Sequence, residues 1–323
     1  MSIHKVMLGL LGVVTSIGFT LAAMPANAQS CTVTMANLNF GTVNLLGGAS
    51  VDSSTTVSIN CSNTLNVSTN VRVCINVGGG SGGMVGGART MANGANLLQY
   101  QLYQDASRST PLGSLDLPAL GAPQPYDLLL LPLTSVSMTR SVYARILATQ
   151  PTTPGGAYSS LFTGSSFRVN WTPYTLTAPA CSSVTQNPTF SAFSVQSFVD
   201  RTCSVTAQNL NFGSQGLLKT RVDASTDLSV TCTSGLPFSI SLNGGLTNAV
   251  PAQRKMTNGT NSITYGLFRD AARSQLWGSL AGLLASGTGT GLVQRLVVYG
   301  RVPAQTTPPI GTYSDTVVVT ITY

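Results

Sequence analysis

Apolar residues in this chain recur at every second position in short runs, and Gly, Pro, Asn and Ser separate the runs. A period of two places alternate side chains on opposite faces of a strand. The pattern predicts strands at 55–61, 71–77, 97–104, 141–147 and 167–171 in the first half of the chain. In the second half it predicts strands at 227–232, 238–242, 263–269, 295–301 and 315–323. A further alternating stretch, Phe193, Val195, Ser197 and Val199, lies between the two sets and would direct these residues to one face of a strand.

Comparing the chain with itself explains why there are two sets. CTVTMANLNFG at 31–41 recurs as CSVTAQNLNFG at 203–213, and TVSINC at 56–61 recurs as DLSVTC at 227–232. MANG at 91–94, YQLYQD at 100–105 and GS at 113–114 recur as MTNG, YGLFRD and GS at 256–259, 265–270 and 278–279. VYAR at 142–145 and GAYS at 156–159 recur as VYGR at 298–301 and GTYS at 311–314. The matches keep their order, so the chain holds two copies of one domain, 29–172 and 203–323, joined by a linker at 173–202. Copy one is longer, with its extra residues in connections. Six or seven strands per copy fit an all-β fold of two immunoglobulin-like sandwiches.

The ends and the composition narrow the class. Residues 1–28 read as a signal peptide: Lys5, an apolar stretch at 7–23, and the small-x-small site Ala26-Asn27-Ala28. The chain downstream is expected to be exported through the periplasm. Only 8% of the 323 residues are charged, about a third of the usual share. All nine acids are aspartates, and the single histidine, His4, falls in the signal. A chain without histidine or glutamate lacks the parts of a Ser-His-Asp triad, a Cys-His pair, a HExxH zinc site or a Glu-centred glycosidase pair. No enzyme activity, metal or other cofactor is expected. The thirteen arginines are scattered rather than clustered, so no nucleic-acid partner is expected. Asp105 and Asp270 recur at one repeat position, which points to a turn role.

Six cysteines remain after the signal, and an even count in an exported chain favours disulfides. The repeat gives Cys31–Cys61 and Cys203–Cys232 matching spacings. Cys74 and Cys181 have no counterparts in copy two and pair by elimination, which would staple the linker to copy one.

Taken in order, CTVTxxxLNFG, TVSxxC, MxNGxNxLxYxLYxD, VYxRI and GTYSDTVVVTITY at 311–323 resemble the spore coat U domain family. Its members include subunits of archaic (Csu-type) chaperone–usher pili. The resemblance implies sandwiches that lack their last strand, which a periplasmic pilus chaperone supplies first and the next pilin subunit supplies later, at an outer-membrane usher. A sandwich short of one edge strand exposes an apolar groove and unpaired backbone groups. In copy two the groove would open beside Val317, Val319, Ile321 and Tyr323. In copy one, Phe193–Val199 is either an intramolecular donor strand or an ordinary linker with scattered aromatics. Only Gln29 and Ser30 stand between the cleavage site and Cys31, too few to reach a neighbour's groove. The chain would then receive a strand without donating one, as the two-domain tip adhesin of a pilus does. The competing reading is a secreted coat or matrix protein of the same family that forms no fibre.

Related tip subunits imply an adhesive surface on copy one, directed to an abiotic or host surface and serving attachment and biofilm formation. Three apolar stretches are candidates. The first is the Gly-rich stretch 78–87 with Met84 and Val85. The second is the expanded connection 112–133 with Leu115, Leu117, Leu120, Tyr126, Leu128, Leu129, Leu130, Leu131 and Leu133. The third is 151–164 with Tyr158, Leu161 and Phe162. The run at 128–133 reads alternatively as a buried strand, against which Pro132 weighs.

Overall fold

The computed structural model describes residues 28–323, so the signal peptide, apart from Ala28, lies outside the described residues. The described chain is built of strands and three short 3-10 turns. The first unit holds β1 (Gln29–Met35), β2 (Leu38–Val43), β3 (Val51–Asn63), β4 (Thr69–Val77), β5 (Met84–Val85), β6 (Ala88–Asn93) and β7 (Asn96–Tyr103). It continues with β8 (Gln124–Leu130), β9 (Ser135–Ile146), β10 (Gly156–Phe162), β11 (Phe167–Tyr174), β12 (Thr189–Phe190) and β13 (Phe193–Val199). The second unit holds β14 (Cys203–Ala207), β15 (Val222–Cys232), β16 (Pro237–Leu242), β17 (Arg254–Asn258), β18 (Asn261–Phe268), β19 (Ala285–Thr288), β20 (Gln294–Val302) and β21 (Val319–Thr322).

Each unit is two facing sheets. In the first, β1-β3-β9-β7-β6-β10-β13-β2 form one sheet, with β5 beside β6, and β12-β11-β4-β8 form the other. β1 and β2 are almost contiguous in the chain yet stand at opposite ends of the sheet order, so the sheet curls round on itself. In the second unit the sheets are β14-β15-β20-β18-β17 and β19-β16-β21. The alternation seen in the sequence becomes alternating burial: in β1, Gln29, Cys31, Val33 and Met35 point inward while their neighbours face solvent. Each unit has its own apolar core. Disulfides join Cys31 to Cys61 across β1 and β3, Cys203 to Cys232 across β14 and β15, and Cys74 to Cys181. The last closes 107 residues of chain; disulfides typically add about 2–4 kcal/mol, and more as the closed loop lengthens.

Between the units run only Asp200, Arg201 and Thr202, and the contact there is close. The Thr233 hydroxyl accepts from Thr202 N at 3.1 Å, and Pro154 bridges Ser234. Gly291 has φ +78°, and a Cβ there would lie 1.9 Å from the Pro151 carbonyl oxygen, so only glycine fits. The start of the 151–164 stretch is thus a junction with the second unit rather than a free loop.

The repeat extends to interactions. In both units an Asp-Arg-Arg-Tyr group clamps two central strands. Asp52 accepts from Arg145 Nε at 2.6 Å and lies 3.2 Å from Arg108, which stacks over Tyr143. Asp223 accepts from Arg301 Nε at 2.7 Å and lies 3.4 Å from Arg273, which stacks over Tyr299. Asp105 and Asp270 cap equivalent turns, accepting from the backbone N–H groups of Ser109 and Thr110 and of Ser274 and Gln275.

A buried arginine is repeated as well. Arg89 and Arg254, each two residues before the repeated Met, are fully buried. Arg89 donates to the carbonyls of Gly78, Val77 and Leu112, and Arg254 to those of Asn243, Leu242 and Trp277. Burial pushes both guanidinium pKa values down, while the ring of carbonyl acceptors favours the charged form.

The guanidinium hydrogen bonds hold the Asp52 and Asp223 carboxyls below their ordinary range. A carboxyl whose folded pKa is depressed contributes stability above its unfolded pKa of about 3.9 and loses that contribution as pH falls below it. The unfolding midpoints of both units are therefore expected to fall on acidification below about pH 4. Asp52→Asn and Asp223→Asn should each make the corresponding fall shallower in thermal scans from neutral to acid pH. An unchanged acid dependence in both variants would contradict the assignment.

Candidate functional site

The two copies differ most along one line, the gap between the first and last strands of the sandwich. In the first unit the gap is filled. β13 runs antiparallel to β10, from Phe193 opposite Phe162 to Val199 opposite Gly156. On its other side it runs parallel to β2, with Val195 beside Leu38 and Val199 beside Val43. Just upstream, β12 pairs with β11, and Thr189 Oγ1 donates to the Cys31 carbonyl at 2.8 Å. Residues 189–199 thus act as one long strand with a break at Ser191 and Ala192. Phe193, Val195, Ser197 and Val199 all face inward and are at most 4% exposed. The Phe193 ring stacks on Phe162 at 4.4 Å and meets Phe167 edge-on at 5.0 Å. Burying Phe193, Val195 and Val199 contributes about 1.5–3 kcal/mol each. The Cys74–Cys181 bond, packed with Val184, anchors the segment upstream.

In the second unit the same gap is empty. Segment 208–215, the counterpart of β2, and segment 309–317, the counterpart of β10, join no ladder; Ser314 makes only an isolated bridge to Thr257. A groove of about 800 Å³ lies between them, lined by Leu210, Phe212, Met256, Ile263, Ile310 and Tyr313 among others. Leu38, Met91 and Tyr158 are at most 1% exposed, whereas their counterparts Leu210, Met256 and Tyr313 are half-buried. Ile310 is fully exposed. Of the residues expected to border the groove, Val319 and Ile321 lie on β21 and Val317 is half-buried just before it. Tyr323 is beyond the strand and exposed, so the ladder is shorter than the predicted 315–323.

The walls of the open groove already have the shape of the filled one. Gly41 and Gly213 both adopt φ +72°, each with its N–H bonded at 2.8 Å to the Asn two residues earlier. Tyr158 and Tyr313 donate at 2.8 Å to the carbonyls of Pro154 and Pro309, respectively.

The expected adhesive residues divide sharply. Leu120, Leu128, Leu130, Tyr158 and Phe162 are buried, which corrects their placement on exposed loops. The 128–133 run begins as β8, paired with β4, so its leucines alternate: Leu128 and Leu130 enter the core while Leu129 is exposed. Tyr158 and Phe162 belong to β10, whose inward face packs on β13, leaving Leu161 outside. Met84, Leu115 and Tyr126 are half-buried, and Val85 and Leu117 are exposed. The Gly-rich stretch is packed rather than free: a Cβ on Gly82 would lie 1.8 Å from Thr90 O, and one on Gly80 2.9 Å from the Phe162 ring.

Leu129, Leu131 and Leu133 are joined by Leu65 and Val67, which the sequence reading passed over. All five are between 38% and 69% exposed. Their loops are tied together by buried Asn63, which donates to the carbonyls of Val67 and Leu131 at 2.8 and 3.2 Å. Leu133 N donates to Leu65 O at 3.0 Å. This apolar cluster lies beyond the Asn63 end of β3, the end away from the junction; a thirteen-residue strand spans roughly 40 Å. Val85 and Leu117 lie toward the other end of β4 and β8 and do not join it.

The Spore Coat Protein U domain model matches residues 17–165 and 189–320. The second match opens at β12, ahead of Cys203, just as the first opens ahead of Cys31. Protein U of Myxococcus xanthus is 41% identical over 104 residues, which are 30% of this chain and 58% of that protein. The chain therefore spans somewhat over half the length of that relative. Among solved structures, the chaperone–tip adhesion subunit pre-assembly complex CsuC–CsuE of the archaic Csu pili of Acinetobacter baumannii aligns with TM-score 0.48 and 16% identity. The alignment covers 91% of this chain and all of that one. The CooA pilin subunit from enterotoxigenic Escherichia coli aligns with TM-score 0.21 and 11% identity over 52% of this chain and 99% of that one. The two regions of the family match take in most of the chain, which belongs to the Spore Coat Protein U domain family.

Proposed function

We propose that the chain is the tip adhesin of a chaperone–usher pilus, exported through the periplasm and displayed at the cell surface. The observation that carries this reading is the pairing of one occupied and one open groove in two copies of the same domain. The first unit is completed by the chain's own 189–199 segment and needs no partner. The second presents unpaired backbone on both sides of an apolar groove, which strand addition from another chain would complete. A periplasmic chaperone would cover it first, and the next pilin subunit would replace the chaperone at the outer-membrane usher. A subunit built this way joins the fibre through its second unit and points its first unit outward. The Leu65, Val67, Leu129, Leu131 and Leu133 cluster then stands at the free pole, where apolar side chains meet an abiotic or host surface and support biofilm formation.

Two outcomes are expected. Extending the chain after Tyr323 with a four-residue turn and a copy of residues 189–199 supplies the missing strand in the antiparallel sense. Size-exclusion chromatography should show this chain as a monomer at every concentration in the absence of chaperone, while the unextended chain without its signal self-associates as its concentration rises. An unextended chain that stays monomeric at every concentration would instead favour a coat protein that forms no fibre. For the pole, Leu129→Ser combined with Leu131→Ser should lower attachment to apolar surfaces several-fold without reducing the number of pili. Both side chains are more than half exposed, so stability should change little. Unchanged attachment would remove the pole from the account.

A further inference from the structure

The groove wall at 309–317 joins no ladder, yet its later half is held in place. Ser314 donates its N–H to Thr257 O at 3.2 Å and accepts from Thr257 N at 2.8 Å. The first unit has the same bridge, Ser159 to Ala92, but there β10 is also paired with β13 from Gly156 to Phe162. At the next position the copies differ in charge. Ser160 is fully buried, and its hydroxyl accepts from Gly82 N at 3.2 Å. Its counterpart, Asp315, accepts from Tyr265 OH at 2.7 Å and from the N–H groups of Leu246 and Thr316 at 2.8 Å. The carboxylate sits inside the 243–248 turn: Gly245 has φ +72°, and a Cβ there would lie 2.0 Å from Asp315 Oδ2. Asn243 ties the same turn to the wall again, its Oδ1 accepting from Val318 N at 2.9 Å. The surroundings of the buried arginine differ in step. Arg89 donates to the Gln101 side chain, and the repeat has Gly266 at that position. Burial lowers the Arg254 pKa, and the nearby Tyr265 and Asp315 oppose that shift.

We infer that Asp315 is a positioning residue: with no strand in the groove, its carboxylate holds the 309–317 wall against the 243–248 turn, a task that the ladder to β13 performs in the first unit. Hydrogen bonds to an ionised acceptor are roughly twice as strong as neutral ones, so one side chain can stand in for part of a missing ladder. The lone Ser314–Thr257 bridge is pinned by its neighbour, and residues 309–313 project from that fixed point to line the groove. Where a strand is always present, as in the first unit, a neutral hydroxyl at Ser160 is enough. A wall held before the strand arrives needs no ordering at that moment, which favours strand capture.

The role of Asp315 rests on the donor-strand reading, and two measurements keep them apart. Asp315→Ser is made in the full chain without its signal, both unextended and diluted until monomeric, and with the C-terminal extension described above. Exchange of the Thr257 amide, followed by NMR, reads whether the wall is docked. In the unextended chain the substitution should speed it about tenfold or more relative to the other β17 and β18 amides. In the extended chain it should stay slow. The extension's rise in the second unit's unfolding midpoint is followed by calorimetry, with the first unit as internal reference. Asp315→Ser should shrink that rise by roughly 5 °C, because the held wall is lost only in the open state. Asp315→Asn keeps one acceptor oxygen and the side-chain volume, so both changes should be smaller; this variant decides if Asp315→Ser does not fold unextended. Unchanged Thr257 exchange in the unextended chain, with equal midpoint losses in both chains, is what a purely structural contact gives and would overturn the inference. No midpoint rise on extending the unsubstituted chain would overturn strand addition, and with it the use of a held wall, whatever Thr257 shows.

Discussion

A β-sandwich has to close the line where its first and last strands face each other. Along that line each backbone presents a row of N–H and C=O groups, and the core between the sheets is open to water. One extended segment solves both problems, since its backbone completes the ladders and its alternate side chains fill the core. In the first unit residues 189–199 do this between β2 and β10 and beside β11. In the second unit the corresponding line is bare. The other contrasts between the copies follow from it, from the burial of Leu38 against Leu210 to the presence of β2 and β10 as strands where 208–215 and 309–317 are irregular.

The chain therefore serves as its own control. Both copies have the same disulfide between their first two strands, the same Asp-Arg-Arg-Tyr clamp, the same buried arginine and the same Asp-capped turn. These shared elements hold the walls in place with or without an occupant, as the matching Gly41 and Gly213 turns and the Tyr158 and Tyr313 hydrogen bonds make plain. A groove that is already shaped would spare an incoming strand much of the ordering cost of association.

Much of this was legible in the residues. Two domains follow from repeated motifs, and the alternation of Phe193, Val195, Ser197 and Val199 marks one face of a strand. What escaped was local information carried by contact rather than pattern. In a run such as 128–131, leucine occupies both faces of β8, so its period is invisible until β4 pairs with it. The glycines at 80 and 82 read as a flexible loop, but they are there because side chains would collide with Phe162 and Thr90. Arg89 and Arg254 carry a readable signal, an arginine two residues before each repeated Met, but the pattern does not tell a buried arginine from a solvated one. Asn63 carried none: a single polar residue ending a strand does not announce that it ties together the loops of an apolar pole.

The central claim is that one chain holds the same groove filled in one unit and empty in the other. Amide hydrogen exchange on the full chain without its signal, diluted until it is monomeric, reads both at once, under one set of conditions. The account predicts slow exchange at 38–43 and 156–162, where β13 supplies ladder partners, and fast exchange at 210–215 and 311–317, where Ser314 alone is paired with a strand, through Thr257. Equal protection of the two sets in the isolated chain would contradict it.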